Sequence, residues 1–104
     1  RGDNDGKRQA QAEAIKDAMN VKARRGKIDY QVIMGDINDY SNSKTIRILK
    51  GSSLKNPAKS NHCSYTYKGK CKLIDHILVS KNMRGEFKDI PKKYSDHSAV
   101  VFKN

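Results

Sequence analysis

The sequence predicts an α+β fold, because one helical segment is followed mostly by strand-like segments. Residues 8–24 carry apolar side chains at helical spacing, and Gly26 stands at a plausible helix end. That apolar stripe consists of Ala14, Ile15, Ala18 and Met19. Short runs rich in β-branched and aromatic residues then alternate with polar connections, as expected of short strands. We find no internal repeat, so residues 1–104 are interpreted as a single segment.

Four segments are rich in Val, Ile, Leu or aromatic residues and are therefore predicted to be strands. They are 29–35, 63–67, 71–80 and 98–102. Val32-Ile33-Met34 is a continuous apolar run, which predicts burial on both faces of the first strand. Segments 63–67 and 71–80 flank Lys68-Gly69, which predicts a hairpin. Segment 43–50 suits either a short helix or a strand. The remaining segments are expected to be a flexible start and two polar connections, at 1–7, 51–62 and 81–94.

The composition favours a polyanionic partner. The chain has 22 Lys+Arg against 11 Asp+Glu, a formal net charge of +11. Such an excess points to nucleic acid first and to an anionic membrane surface second. No run approaches the roughly 18 apolar residues of a membrane span, and nothing in the sequence predicts a compartment.

The two cysteines lie on either side of the predicted hairpin turn. A two-residue turn places Thr66 opposite Cys71, and a three-residue loop places Tyr65 there. A disulfide needs Cα atoms within about 7 Å, so this register favours two free thiols over a Cys63–Cys71 bond.

Two histidines near the cysteines raise the alternative of a zinc site, with His62 and His76 as further ligands. Their spacing is not that of a zinc finger, and no CxxC occurs. His76 faces away from Asp75 by strand alternation, so we expect it to be a packing or surface residue.

Polar groups recur in three motifs beside apolar strand-like runs. These motifs are GDIN at 35–38, LIDHIL at 73–78 and SDH at 95–97. An acid within an apolar strand carries a desolvation cost unless it is paired or hydrogen-bonded. Three such sites in a basic chain indicate a hard cation held next to a bound phosphate.

Each of these side chains suits a step of phosphodiester hydrolysis with Mg²⁺ or Mn²⁺. Asp36 is predicted to accept a proton from the attacking water, and Asn38 to donate to the phosphate or hold that water. His97 is predicted to donate to a phosphoryl oxygen, with Asp75 fixing its tautomer. Asp36 and Asp96 are the candidate metal ligands.

GDIND, LIDHILVS and YSDHSAVVF resemble three consecutive C-terminal motifs of the endonuclease/exonuclease/phosphatase superfamily, which has the deoxyribonuclease-I fold. Arg8-Gln9-Ala10 also resembles the start of the helix before the first motif, so the resemblance covers about residues 8–102. It implies that Asp36 and Asn38 are the water-activating and phosphate-binding pair. It further implies an Asp75–His97 pair and a metal-associated Asp96.

The resemblance also implies a fold: half of a four-layer α/β/β/α sandwich, with one mainly antiparallel sheet and a helix on its outer face. The family's first half carries an Asn, a metal-binding Glu and a further His, and none of those motifs is visible here. Ala99 stands where the family usually has Pro. We therefore expect an N-terminal half-domain or self-association to cover an apolar sheet face. That face is predicted to include Val32, Met34, Ile77, Val79 and Val100.

The function that this resemblance implies is divalent-metal-dependent hydrolysis of nucleic acid, with DNA favoured, by an enzyme to which this chain contributes the C-terminal half. One alternative is a phosphatase of the same superfamily acting on a lipid or small phosphoester. Inositol-polyphosphate phosphatases carry a W-C-D-R-type motif where this chain has Leu73-Ile74-Asp75-His76, which favours a nuclease. The other alternative is a non-catalytic polyanion-binding module.

Overall fold

A computed structural model describes residues 5–26 and 28–104, and over this range the chain has an α+β fold, as predicted. The described part contains two helices and seven strands. Their bounds are α1 Asp5–Arg25, β1 Val32–Asp36, α2 Lys44–Lys50, β2 Leu54–Lys55, β3 Tyr65–Tyr67, β4 Lys70–Lys72, β5 Asp75–Ser80, β6 Glu86–Ile90 and β7 Ala99–Lys103. Of the predicted flexible start, residues 1–4 lie outside the described range, and residues 5–7 are the first turn of α1.

The strands form three small antiparallel sheets, with orders β1-β5-β2, β3-β4 and β6-β7, rather than the single sheet predicted. The predicted strand 71–80 is divided, because the chain leaves β4 at Lys72 and enters β5 at Asp75. Strand β6 falls in a segment predicted to be a connection. Its sequence EFKDI has only two apolar residues, of which Phe87 is buried and Ile90 is exposed, and the other three residues are charged.

The helices pack on one face of the three-stranded sheet, around a cluster made by Ala12, Ile46, Leu49, Leu54 and Leu78. Segment 43–50 is a helix, and Ser43 caps it by accepting a hydrogen bond from the Ile46 N–H at 3.2 Å. None of the helices in the described range is both long and apolar enough to cross a membrane.

The predicted apolar stripe of α1 is largely wrong. Ala14, Ile15 and Ala18 are exposed, whereas Ala12 is buried and Met19 is partly buried against the core. The reason is the contact with α2, which places the face containing Ala12 inward.

The opposite face of the sheet is only partly open. Ile77 and Val79 are buried, because the β6–β7 hairpin packs against β5 through Phe87. Both were predicted to lie on a sheet face that a further part covers, and that prediction was wrong because the hairpin of this chain already covers them. Val32 is exposed and Met34 is 64% exposed, which contradicts the predicted burial of β1 on both faces. Strand β1 lies at the edge of its sheet, so it lacks a neighbour on one side.

Cys63 and Cys71 form a disulfide, with their Cα atoms 5.7 Å apart. The predicted register is correct, since Thr66 pairs with Cys71. The prediction of free thiols was nevertheless wrong. Cys63 precedes β3 and is not held in its ladder, so the chain folds back and brings its Sγ to 3.7 Å from the Thr66 Oγ1.

Candidate active site

Two carboxylates meet where β1 ends and β5 begins. Asp36 and Asp75 are directly opposite in the antiparallel register, and the pairing extends one step further through the Ile37 N–H, which donates to the Ile74 carbonyl at 3.0 Å. Directly opposite residues share one face of a sheet, and like charges in such a pair are destabilising. A positive group at this rim therefore stabilises the fold locally.

His97 supplies a group that is positive when its ring is protonated. The segment before β7 lies beside β3, because the Thr66 N–H donates to the Asp96 carbonyl and the Ser98 N–H donates to the Ser64 carbonyl. This placement brings the Nδ1 of His97 to 2.7 Å from the Oδ2 of Asp75. The predicted Asp75–His97 contact is thus confirmed.

The Asp75 carboxylate also shifts the pKa of His97. Its hydrogen bond to the ring raises the pKa of His97 above the ordinary value, and partial desolvation opposes this effect. The His97 side chain is 33% exposed, so solvent reaches the ring. Nδ1 is hydrogen-bonded to Asp75, which leaves Nε2 as the ring nitrogen available to a ligand.

The carboxylates and the histidine form a compact group of potential metal ligands. Asp36, Asp75 and His97 each offer one ligand atom, and these atoms lie within 4.8 Å of one another. No ion pair within residues 5–26 and 28–104 involves Asp36. Mg²⁺ prefers oxygen ligands from one or two carboxylates, with water and phosphate oxygens completing its octahedron. The donor set therefore fits a hard divalent cation.

Asn38 acts on this group through its backbone. Its φ of 55° is a left-handed conformation, which Asn adopts more readily than most residues. In this turn the Asn38 N–H donates to the Oδ1 of Asp36 at 2.9 Å and so orients that carboxylate. The predicted role of the Asn38 amide at a phosphate stays a prediction.

Asp96 is not a member of the compact group. It is exposed, its carbonyl is used in pairing with β3, and its charge contributes to the raised pKa of His97. Its assignment as a metal ligand stays a prediction. Asp36, the other residue assigned to the metal, does belong to the group.

Ser64 is a supporting residue that the sequence did not reveal. It is fully buried, and its hydroxyl accepts the N–H groups of Ile74 and Asp75, both at 2.9 Å. Its carbonyl also accepts the Ser98 N–H, so one residue ties both partners of the Asp75–His97 pair to the hairpin. A serine ahead of a short strand carries no pattern that would have singled it out.

A second support holds the loop after β1. His76 is fully buried and donates from Nε2 to the Asp39 carbonyl at 2.7 Å, so its predicted packing role is confirmed. Burial lowers the pKa of His76 and so favours the neutral form of the ring. The buried Asp39 carboxylate accepts the Tyr40 N–H and lies 3.6 Å from the Nε of Arg8 on α1. These contacts fix the turn that carries Asp36 and Asn38.

The chain was compared with models of known protein families, with curated proteins and with solved structures. None of them matches it.

Proposed function

We propose that this chain supplies the C-terminal half of the active site of a divalent-metal-dependent phosphodiesterase that acts on nucleic acid. One observation carries the proposal: Asp36, Asp75 and His97 come from three separate motifs and place their ligand atoms within 4.8 Å of one another. Structural roles alone do not require two acids and a histidine at one exposed rim.

The residues divide the chemistry among them. Asp36 faces the group with a carboxylate whose two oxygens offer about four acceptor sites, so it can accept the proton of an attacking water. His97, held through Nδ1 by Asp75, can donate from Nε2 to a phosphoryl oxygen. The raised pKa of His97 increases the protonated, donating fraction of the ring near neutral pH.

Mg²⁺ or Mn²⁺ fits the donor set, with the oxygens of Asp36 and Asp75 as the ligands on this chain. When bound, such an ion would supply Lewis-acid polarisation of the phosphate and neutralise its charge. The exposed Asp96 beside His97 would add negative potential that favours the cation.

The charge distribution favours an enzyme over a simple polyanion-binding module. A formal charge of +11 attracts nucleic acid in either case. Two opposed carboxylates at the rim would repel a phosphate in a binding module, whereas they are required when a divalent cation bridges protein and phosphate. The same charge favours nucleic acid over a small phosphoester.

We propose that a further sheet, from an N-terminal half-domain or from a second copy, covers the exposed apolar residues of β1. Val32 and Met34 border a groove of about 380 Å³ floored by Ile77 and Val79. Contiguous exposed apolar surface of this kind usually marks an interface. Without that further part, the isolated chain should be nearly inactive.

The test is cleavage of plasmid and oligonucleotide DNA by a protein that contains this segment together with the proposed N-terminal half, in Mg²⁺, in Mn²⁺ and in EDTA. Asp36→Ala and His97→Ala should each reduce turnover by at least about 100-fold, the scale of lost acid–base assistance. Asp29→Ala, which removes an exposed acid ahead of β1, is the matched control and should retain activity. Near wild-type cleavage by both site variants would refute the proposal.

A further inference from the structure

The face of the β3–β4 hairpin next to the active site carries a row of aromatic rings. Tyr65 and Tyr67 are two residues apart on β3, so their side chains share one face. Their rings are nearly parallel, with an interplanar angle of 6° and centroids 6.3 Å apart. The Tyr65 ring also lies 4.8 Å from the His97 ring, centroid to centroid. We call Tyr65 and Tyr67 the tyrosine row; it leads from the candidate catalytic histidine outward along β3.

Lysines flank this row on the same face. In the register of the hairpin, Lys72 is opposite Tyr65 and Lys70 is opposite Tyr67. Directly opposite residues in an antiparallel pair project to the same side. At the turn, the Nζ of Lys68 lies 5.3 Å from the centroid of the Tyr67 ring. The sequence YTYKGKCK thus produces a face that alternates rings and positive charges.

The outer end of the tyrosine row is open to solvent, whereas Tyr65 is half-buried beside His97. Tyr67 is 53% exposed, and Thr66, Cys71 and the disulfide lie on the other side of the strands. Exposed aromatic rings beside lysines match surfaces that bind single-stranded nucleic acid, where bases stack on the rings and phosphates contact the cations. Bases inside a duplex are stacked on one another and present no free face to a ring.

We propose that the tyrosine row binds unpaired nucleotides, with bases stacked on Tyr65 and Tyr67 and phosphates beside Lys70 and Lys72. The inference deepens the proposed function, on which it rests for one point: the bound strand would deliver its phosphate to His97. Single-stranded nucleic acid, or an unpaired end of a duplex, is then the preferred substrate. Binding itself requires neither metal nor turnover.

The test is fluorescence anisotropy of a labelled 12-nucleotide oligothymidine with the 104-residue chain in EDTA, with a blunt duplex of equal length as competitor. Loss of one stacked base typically costs about 1–3 kcal/mol, so Tyr67→Ala should raise Kd for the single strand about 5- to 150-fold. Tyr67→Phe keeps the ring and should stay within about twofold of wild type. Circular dichroism checks that each variant is folded.

A matched control exists at the other end of the sheet. Tyr30 is 62% exposed and precedes β1 at the end away from Asp36, so Tyr30→Ala should leave Kd unchanged. Salt dependence separates stacking from charge. Lys70→Ala should reduce the slope of log K against log salt by about 0.7, whereas Tyr67→Ala should leave the slope unchanged.

Two results would overturn the inference: a duplex that binds as tightly as the single strand, or a Tyr67→Ala variant that binds like Tyr30→Ala. These failures are distinct from failure of the proposed function. A chain that shows the stacking dependence in EDTA, while the protein that contains both halves never cleaves with Mg²⁺, would refute the enzyme and keep the binding surface.

Discussion

Replacing Ser64 by alanine should destabilise the fold and loosen the candidate active site together. The hydroxyl accepts two backbone N–H groups, those of Ile74 and Asp75, inside a fully buried position. Alanine removes the acceptor and leaves both donors without it. Asp75 in turn holds the Nδ1 of His97 at 2.7 Å, so a displaced Asp75 would also displace the His97 ring.

The expected loss of stability depends on how deeply each of the two N–H donors is buried. The hydrogen bond of Ile74 is buried, and an orphaned buried donor costs about 1–3 kcal/mol. The bond of Asp75 is only partly buried, so water can replace the hydroxyl at a cost of about 1 kcal/mol. The free energy of unfolding should therefore fall by about 2–4 kcal/mol. For a domain of this size, that corresponds to a Tm lower by about 8–30 °C.

Urea unfolding followed by circular dichroism measures this loss, and Ser52→Ala is the matched control. Ser52 is exposed in the turn after α2, so its replacement should change stability by less than about 0.5 kcal/mol. NMR titration gives a second readout, because the pKa of His97 should move toward its ordinary value when Asp75 is less firmly held. A Ser64→Ala variant as stable as Ser52→Ala, with an unchanged His97 pKa, would refute this reasoning.

Three further perturbations test the electrostatics and the crosslink. Asp75→Asn should lower the pKa of His97, because the carboxylate hydrogen bond raises it, and an unchanged value by NMR would contradict the pairing. Burial lowers the pKa of His76, so below about pH 6.5 this residue binds more protons in the unfolded chain. Its contribution to stability should fall as the pH drops from 7 to 5.5, whereas the raised pKa of His97 acts in the opposite sense. His76→Gln should reduce that loss in urea unfolding; an identical pH dependence would exclude His76 as its source. Reducing the Cys63–Cys71 disulfide, which spans 8 residues, should lower the free energy of unfolding by about 2.5 kcal/mol. A urea midpoint that is the same with and without dithiothreitol would contradict a stabilising bond.

The compact group of Asp36, Asp75 and His97 could be predicted because each residue lies in or beside a recognisable apolar sequence pattern. Asp36 follows an apolar run after a single glycine, and Asp75 interrupts another, so both stand out as acids on strands that register can bring together. The Asp75–His97 contact followed from the chemistry of a carboxylate behind a histidine. Ser64 was not predicted, since its partners are backbone N–H groups ten and eleven residues away. Nearly every residue type has such a group, so the sequence does not identify these partners.

Elements whose burial depends on tertiary neighbours were predicted least well. The predicted apolar stripe on α1 assumed that the helix packs on a sheet. Instead, α1 packs against α2 through the face that contains Ala12. Ile77 and Val79 were expected on an open face, and the β6–β7 hairpin buries them. That hairpin was missed because its first strand is mostly charged. Tertiary context overrides local pattern in each case.

The central claim, that the Asp36 and Asp75 carboxylates hold a divalent cation beside His97, is tested most directly by paramagnetic relaxation. In a ¹⁵N-labelled 104-residue chain, substoichiometric Mn²⁺ should broaden the amide signals of residues 36–38, 75 and 97 first, and Mg²⁺ should restore them by competition. Asp36→Asn should abolish this selective broadening, while Asp29→Asn should preserve it. Broadening spread over the acidic surface, or unchanged in Asp36→Asn, would contradict the account.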